Sequence, residues 1–217
     1  THVPLTIRTI AGGGIGGFGA QHSQSTEAWL LHTPGLKIVY PSTPTEAKGL
    51  LLSCIFDEDP CVQFESMMLT YATKEEVPVG DYRIPLGVAK VKREGTDITL
   101  LAWGAQMEVI AQAAKMADNE GIDCEIVDLR TILPWDIDTV VKSVQKTGRL
   151  LVSHEAPLTN GFGAEIAATV QEHAFLSLES PILRVCGMDV PYPLAHETEY
   201  IPDASKVFEA IKLSVNY

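Results

Sequence analysis

A chain of 217 residues, 46% hydrophobic and 20% charged, has room for one large domain or two small ones and enough apolar side chains for a core, which excludes a disordered protein. Its formal net charge of −12 repels phosphate backbones and anionic lipid, so neither nucleic acid nor a membrane surface is expected as a partner. No run of about 18 apolar residues is present to span a bilayer, and the longest acidic block, Asp57-Glu58-Asp59, is too short to be a tail.

Strand-like and helix-like segments alternate along the chain, which predicts an α/β fold with a mainly parallel sheet. Residues 5–10 read as a strand, 11–19 as a glycine-rich loop, 25–32 as a short helix and 36–40 as a strand ended by Pro41. Ser42 or Thr43 then caps a helix, with Pro44 at its first position and Glu46 in capping-box spacing; it runs through Lys48 and residues 50–55. Residues 61–65 form another strand. Residues 73–85 are polar, carry two prolines and keep no period, and so read as a linker.

A second α/β unit follows. Strands are expected at 88–93 and 97–103 around a turn at Glu94-Gly95. Residues 107–119 predict an amphipathic helix closed by Gly121. Then come a strand at 124–129, a helix at 138–145 closed by Gly148, a strand at 149–154, a helix at 164–175, a strand at 182–185 and a last helix at 204–215. No repeat or low-complexity segment occurs.

The four cysteines, Cys54, Cys61, Cys124 and Cys186, make no CxxC pair and no zinc spacing, and their neighbours are apolar. They read as buried free thiols in a reducing compartment. No basic presequence opens the chain, and Thr1 in place of Met is what a processed or partial chain shows.

Four segments invite a chemical reading. Gly12–17 contains a GxGxxG match, but a dinucleotide fingerprint needs a helix opening on its last glycine. Here the next helix is expected only after His22-Ser23-Gln24, so backbone that passes close to another group is the competing reading. His22, between that loop and a helix, is either a solvent-facing cap or a proton-transfer group whose neutral form a helix N-terminus favours. The helix end at 54–60 is either a solvated turn or an oxygen-rich cradle for a hard cation. His154-Glu155 ends a strand on the edge where α/β sheets bind ligands, and reads as an acid–base pair or as a buried structural pair.

Taken together, these stretches resemble the beta chains of thiamine-diphosphate-dependent 2-oxo acid dehydrogenases. Phe18-Gly19-Ala20-Gln21-His22-Ser23-Gln24-Ser25 with Glu27-Ala28-Trp29 is similar to the surroundings of that family's active-site histidine. Residues 34–39, 44–51, 128–136 (Asp-Leu-Arg-Thr-Ile-Leu-Pro-Trp-Asp), 153–159 and Gly161-Phe162 continue the likeness in order. Residues 51–55, 154–159, 184–187 and Asn216-Tyr217 resemble the branched-chain members rather than the pyruvate members. The loop at 12–17 is richer in glycine than the family's pattern and one residue longer.

The resemblance implies a partial doubly wound pyrimidine-binding domain at 1–75, its N-terminal part missing. A linker at 76–85 follows, and then a transketolase C-terminal-type domain with a mixed, mainly parallel sheet at 86–217. It implies oxidative decarboxylation of branched 2-oxo acids and acylation of a lipoyl group, with pyruvate, or a non-catalytic assembly role for the isolated fragment, as the alternatives. It implies an α2β2 heterotetramer with an alpha subunit that holds the diphosphate and magnesium. Thiamine diphosphate would lie at the subunit interface, a lipoyl acyltransferase core would be the further partner, and the compartment would be the mitochondrial matrix, or the cytoplasm in a bacterium. It assigns catalysis to His22 and a structural potassium ion to the backbone of Leu5, Thr6, Cys54, Asp57 and Asp59. The glutamate that contacts the aminopyrimidine in the family would lie upstream of Thr1, so no residue here takes that role.

Overall fold

The computed structural model describes residues 2–14 and 18–217. Strand β1 (Thr6–Ala11) pairs in parallel with β3 (Cys61–Ser66), and β3 pairs in parallel with β2 (Lys37–Val39). Helix α3 (Pro44–Ile55) makes the crossover between β2 and β3. Its start follows the expected signals: Pro44 stands at the first position and the Thr43 side chain accepts the Glu46 N–H at 3.2 Å. The capping box does not close on Thr43, however. The Glu46 carboxylate turns to Ser42, whose Oγ donates to it at 2.9 Å, because Lys92 from the other half of the chain draws it there at 2.7 Å.

Strand β4 (Lys90–Arg93) and β5 (Ile98–Ala102) belong to a second sheet, but they are not a hairpin. The sheet order is β4-β6-β5-β8-β9, with β6 (Cys124–Asp128), β8 (Leu150–Pro157) and β9 (Leu183–Gly187). β4 runs antiparallel to β6, and the other neighbours are parallel. The turn at Glu94-Gly95 therefore passes over β6 instead of joining adjacent strands. β5, β6 and most of β8 are buried throughout, as strands covered on both faces must be. Helices α5 (Gln106–Asp118) and α9 (Ala204–Val215) cover one face through Ile110, Ala113, Val207 and Ile211. Helices α6 (Ile137–Thr147) and α7 (Phe162–Ala174) cover the other.

Among the described residues several short elements went unforeseen: the one-turn helices α1 (Gly19–His22) and α8 (Glu197–Tyr200), helix α4 (Met67–Ala72), strand β7 (Thr131–Leu133) and a single 3-10 turn at Phe175–Ser177. The expected helix at 25–32 contracts to α2 (Glu27–Leu31). β7 has a particular consequence. It leaves the second sheet after β6 and pairs antiparallel with β2, completing the first sheet in the order β1-β3-β2-β7. One apolar core accordingly runs through both halves, with Ile38, Val62 and Phe64 of the first packed with Leu101, Leu129, Ile132 and Val152 of the second.

Residues 73–89 hold no helix or strand but lie along α3. Tyr82 donates to Thr45 O at 2.8 Å and Ile84 N–H to Gly49 O at 3.2 Å. The cysteines are free; Cys54, Cys61 and Cys124 are buried and Cys186 is half-buried. Among the described residues no helix is long and apolar enough to cross a membrane.

Candidate functional site

The parallel strands β1, β5 and β8 bring their carboxyl ends to the junction of the two halves, where an α/β fold presents its ligand-binding loops. β1 ends at the fully buried Ala11, and the chain leaves it as Gly12-Gly13-Gly14. The Gly13 N–H donates to Glu155 Oε2 at 3.0 Å, across 142 positions of sequence. A Cβ on Gly12 would lie 2.5 Å from that same oxygen, and one on Gly13 would lie 1.7 Å from Tyr192 Oη. Glycine is therefore required here by close approach, with φ of +79° at Gly12 adding a left-handed turn. That is the packing reading of the loop; the remainder of the GxGxxG match, at Gly16 and Gly17, lies outside the described residues.

Beyond the loop the chain makes α1 and presents His22 as its last residue, exposed to solvent, with its ring edge-on to Phe18 at 6.2 Å between centroids. His22 thus ends a one-turn helix and does not precede one; α2 begins only at Glu27. The expectation that a helix N-terminus tunes its imidazole is corrected by this placement. Ser23 and Ser25, which follow it, are buried. Ser25 Oγ donates to Glu27 Oε2 at 2.8 Å, and Trp103 Nε1 donates to Glu27 Oε1 at 3.2 Å. The His22 segment is thereby fixed to the second half at both ends: through Gly13 on Glu155 of β8, and through Glu27 on Trp103 just beyond β5.

Both anchoring carboxyls are buried, Glu27 completely. Burial pushes the Glu155 carboxyl up to about 7; the Gly13 N–H pulls against it, while Glu27 and Glu197 reinforce it. Burial raises Glu27 too, against the bonds from Ser25 and Trp103. Tyr40 is held well above the usual phenol range by burial and then by Glu155 and Glu27.

His154 and Glu155 do not form an acid–base pair. Consecutive residues on a strand point to opposite faces. The His154 ring stacks on Trp103 at 5.4 Å between centroids, its Nδ1 lies 3.0 Å from Ala156 O and its Nε2 lies 3.2 Å from Cys186 Sγ. A carbonyl can only accept, so Nδ1 carries the proton and Nε2 accepts from the thiol. Burial lowers the imidazole to about 4, so it stays neutral. Burial likewise pushes the Cys186 thiol up to about 12, so no thiolate forms there.

The residues assigned to potassium meet at one corner, where the turn from α3 to β3 lies against the start of β1. Leu5 O accepts the Cys61 N–H at 2.8 Å, and Cys54 O accepts the Asp57 N–H at 3.3 Å. Thr6 stands beside Cys61 in register. The Asp57 carboxylate is taken up by Lys37 Nζ at 2.7 Å, and Asp59 lies 3.1 Å from the same ammonium. The two carboxylates share one internal cation, and an added ion would have to use carbonyl oxygens as well. Among the described residues no group of three or more His, Cys, Asp and Glu side chains is arranged to hold a metal.

The transketolase pyrimidine-binding domain matches residues 1–71 and the transketolase C-terminal domain matches residues 87–207. The chain belongs to the transketolase family. The mitochondrial 2-oxoisovalerate dehydrogenase subunit beta of Dictyostelium discoideum is 56% identical over 214 residues, which cover 98% of this chain and 58% of that protein. The corresponding subunit beta 2 of Arabidopsis thaliana is 55% identical, covering 98% and 59%. The pyruvate dehydrogenase E1 component subunit beta of Staphylococcus epidermidis is 44% identical, covering 99% and 66%. The chain therefore spans less than two thirds of the length of these relatives. A split-gene transketolase solved as an inactive beta4 tetramer superposes with a TM-score of 0.82 at 24% identity, over 99% of this chain and 67% of that one. That likeness establishes the transketolase fold, with both sheets in place.

The buried junction around Glu155 does not fit a diphosphate with its magnesium. The groups that act on Glu155 are a backbone N–H and the carboxyls of Glu27 and Glu197, with no cation among them, and an anionic group would meet further negative charge. Sequence reasoning named His22 and Glu155 but missed Glu27 as an anchor, and Trp103, Tyr40 and Tyr192 around it. The available signal for Tyr40 and Trp103 was their position just beyond the ends of β2 and β5; Glu27 and Tyr192 carried none.

Proposed function

We propose that this chain is part of the beta subunit of the decarboxylating component of a branched-chain 2-oxo acid dehydrogenase. The observation that carries the reading is the 56% identity to the Dictyostelium 2-oxoisovalerate dehydrogenase subunit, spread over 98% of the chain, against 44% to a pyruvate dehydrogenase subunit. Thiamine diphosphate supplies the carbanion-stabilising chemistry when it is bound. An alpha subunit provides its diphosphate and magnesium ligands in an α2β2 heterotetramer, and the acyl group leaves on a lipoyl acyltransferase core. The compartment is the mitochondrial matrix; the names of the Dictyostelium and Arabidopsis relatives call those proteins mitochondrial.

This chain contributes the proton. His22 stands exposed at the end of α1 on a segment clamped at both flanks. As the lipoyl disulfide opens, one sulfur takes the acyl group and the other departs as a thiolate; the protonated His22 side chain donates the proton that this thiolate gains and is left as neutral imidazole. Potassium at the corner of Leu5, Thr6, Cys54, Asp57 and Asp59 is structural. Without its partner the chain is folded but inactive, and calorimetric titration of the isolated chain with thiamine diphosphate and magnesium gives no micromolar binding. The full-length subunit with His22→Ala, assembled with its alpha subunit, should acylate lipoyl domains more slowly by about 10²-fold or more; unchanged turnover refutes the assignment. Comparison of 3-methyl-2-oxobutanoate with pyruvate as substrate separates the branched-chain reading from the pyruvate reading.

A further inference from the structure

His22 stands at the end of a turn that cannot hold itself. α1 is four residues long, and a single turn of helix has almost no stability of its own in water. The ring contact of His22, edge-on to Phe18, stays inside that turn and moves with it. Leu194 meets the first residue of the turn at an ordinary distance, 3.8 Å from where a Cβ on Gly19 would stand. The chain that follows the histidine is held more firmly. Ser23 and Ser25 are buried, so the backbone enters the junction directly after His22. Ser25 Oγ donates to Glu27 Oε2 at 2.8 Å, and Glu27 Oε1 accepts the Trp103 Nε1–H at 3.2 Å. Trp103 is itself buried and stacked on His154 of β8. From the imidazole to the second sheet the path is thus a short run of continuous backbone, His22-Ser23-Gln24-Ser25, and two hydrogen bonds.

The carboxyl in the middle of this path is costly to keep. Glu27 is completely buried, and the groups that act on it are Ser25, its own backbone N–H and Trp103, with no cation among them. An apolar side chain of similar size would fill the space at lower cost. What the carboxyl adds is the join between Ser25 and Trp103. We propose that Glu27 is a positioning residue for His22: it ties Ser25, just past the histidine, to Trp103 of the second half and so sets where the imidazole stands. The inference rests on His22 acting as the proton donor of the proposed reaction. Glu27 touches neither the lipoyl group nor the cofactor in this role; it acts through Ser25 and the backbone. A proton passes only when donor and acceptor come within hydrogen-bond reach. Glu27 therefore bears on the opening of the lipoyl disulfide, where His22 must face the departing sulfur, and not on the decarboxylation before it.

The test compares two rates on the full-length subunit assembled with its alpha subunit. One is acylation of a lipoyl domain. The other is decarboxylation of the 2-oxo acid coupled to the dye 2,6-dichlorophenolindophenol, which opens no disulfide. Glu27→Ala should lower lipoyl acylation about tenfold or more, because a small misplacement of a reacting group is enough for that. Dye-coupled decarboxylation should fall less than about threefold, since His22 has no part in it. Glu27→Gln offers an oxygen to Trp103 and an amide to the Ser25 hydroxyl, and should keep both rates within about threefold of the unaltered enzyme. If Glu27→Ala does not assemble, Ser25→Ala, which leaves the pair of Glu27 and Trp103 in place, should show the same selective loss. An equal fall in both rates, unaltered lipoyl acylation, or a Gln variant as slow as the Ala variant overturns the proposal. His22→Ala is measured beside them. Slow lipoyl acylation in His22→Ala with none in Glu27→Ala or Ser25→Ala removes the positioning role alone. Full lipoyl acylation in His22→Ala removes the catalytic reading, and the positioning role with it.

Discussion

Lys92→Met tests how the two halves are joined. Lys92 Nζ lies 2.7 Å from Glu46 Oε1 and 3.5 Å from Asp128 Oδ2, with the two carboxyl side chains 4% and 0% exposed. Ser42 Oγ sits 2.9 Å from Glu46 Oε2 and 2.5 Å from Asp128 Oδ2. One hydroxyl has one proton, so both contacts are hydrogen bonds only when Asp128 carries a proton of its own. Burial and then Glu46 push Asp128 up to about 7, in keeping with this. Burial works against Glu46, but Lys92 outweighs it and holds that carboxyl below its ordinary value. Removing one partner of a buried pair costs about 3–5 kcal/mol. Because the Lys92 side chain is 24% exposed, water softens the loss, and we expect about 2–3 kcal/mol at pH 7.5. For a chain of this size that lowers Tm by about 4–12 °C.

The pH dependence has a definite sign. In the unaltered protein the stability that protonated Asp128 contributes is present in acid and is lost as pH rises through about 7. The contribution of Glu46 has the opposite sense, present above its unfolded value and lost as pH falls through its lowered folded one. Without Lys92, Glu46 is raised instead, and the native state takes up a further proton on acidification. The deficit of the variant should therefore shrink by about 1 kcal/mol or more between pH 7.5 and 5.5. Urea unfolding followed by circular dichroism at both pH values measures it, with Lys90→Met, on an exposed residue of the same strand, as the control. A deficit below about 0.5 kcal/mol at pH 7.5, as for an ordinary surface substitution, or one that grows towards pH 5.5, refutes the reasoning.

Three further outcomes follow from local geometry. Thr43→Ala removes the acceptor of the Glu46 N–H at the start of α3 and should cost about 1 kcal/mol in urea unfolding. Gly95→Ala would place a Cβ 2.3 Å from the backbone carbonyl carbon of Cys124 and from Glu125 N; main-chain atoms of a central strand cannot give way cheaply, so a loss of about 2–3 kcal/mol or more is expected. Replacing potassium by tetramethylammonium should lower the melting temperature of the assembled enzyme, and a melting curve indifferent to potassium across the millimolar range removes the proposed ion.

Local chemistry was legible where an element carries its own signals. Thr43, Pro44 and Glu46 announced α3, and the buried runs at β5, β6 and β8 announced a parallel sheet, because capping and two-sided burial act within a few residues. The resemblance brought His22 forward, and its neighbours Gln21 and Ser23 gave no hint that α1 would present it from a helix end. β7 was illegible for the same reason that it matters: three residues have too little pattern of their own and become a strand only when β2 arrives beside them. Likewise the turn at Glu94-Gly95 looked like a hairpin, and only the insertion of β6 between its flanking strands decided otherwise.

The sequence by itself determined that there would be two α/β units, that four thiols would stay unpaired, and that a glycine-rich loop would need to pass close to something. The tertiary structure alone decided what that something is. Glu155 lies 142 positions from Gly13, and Trp103 lies 76 from Glu27. A contact at that separation leaves no periodicity to read, since it exists only once two sheets have packed and the carboxyl ends of β1, β5 and β8 meet at one junction. Burial at that junction, more than any property of the residues as letters, turns two ordinary glutamates into anchors whose carboxyls lie above their usual range, Glu155 at about 7.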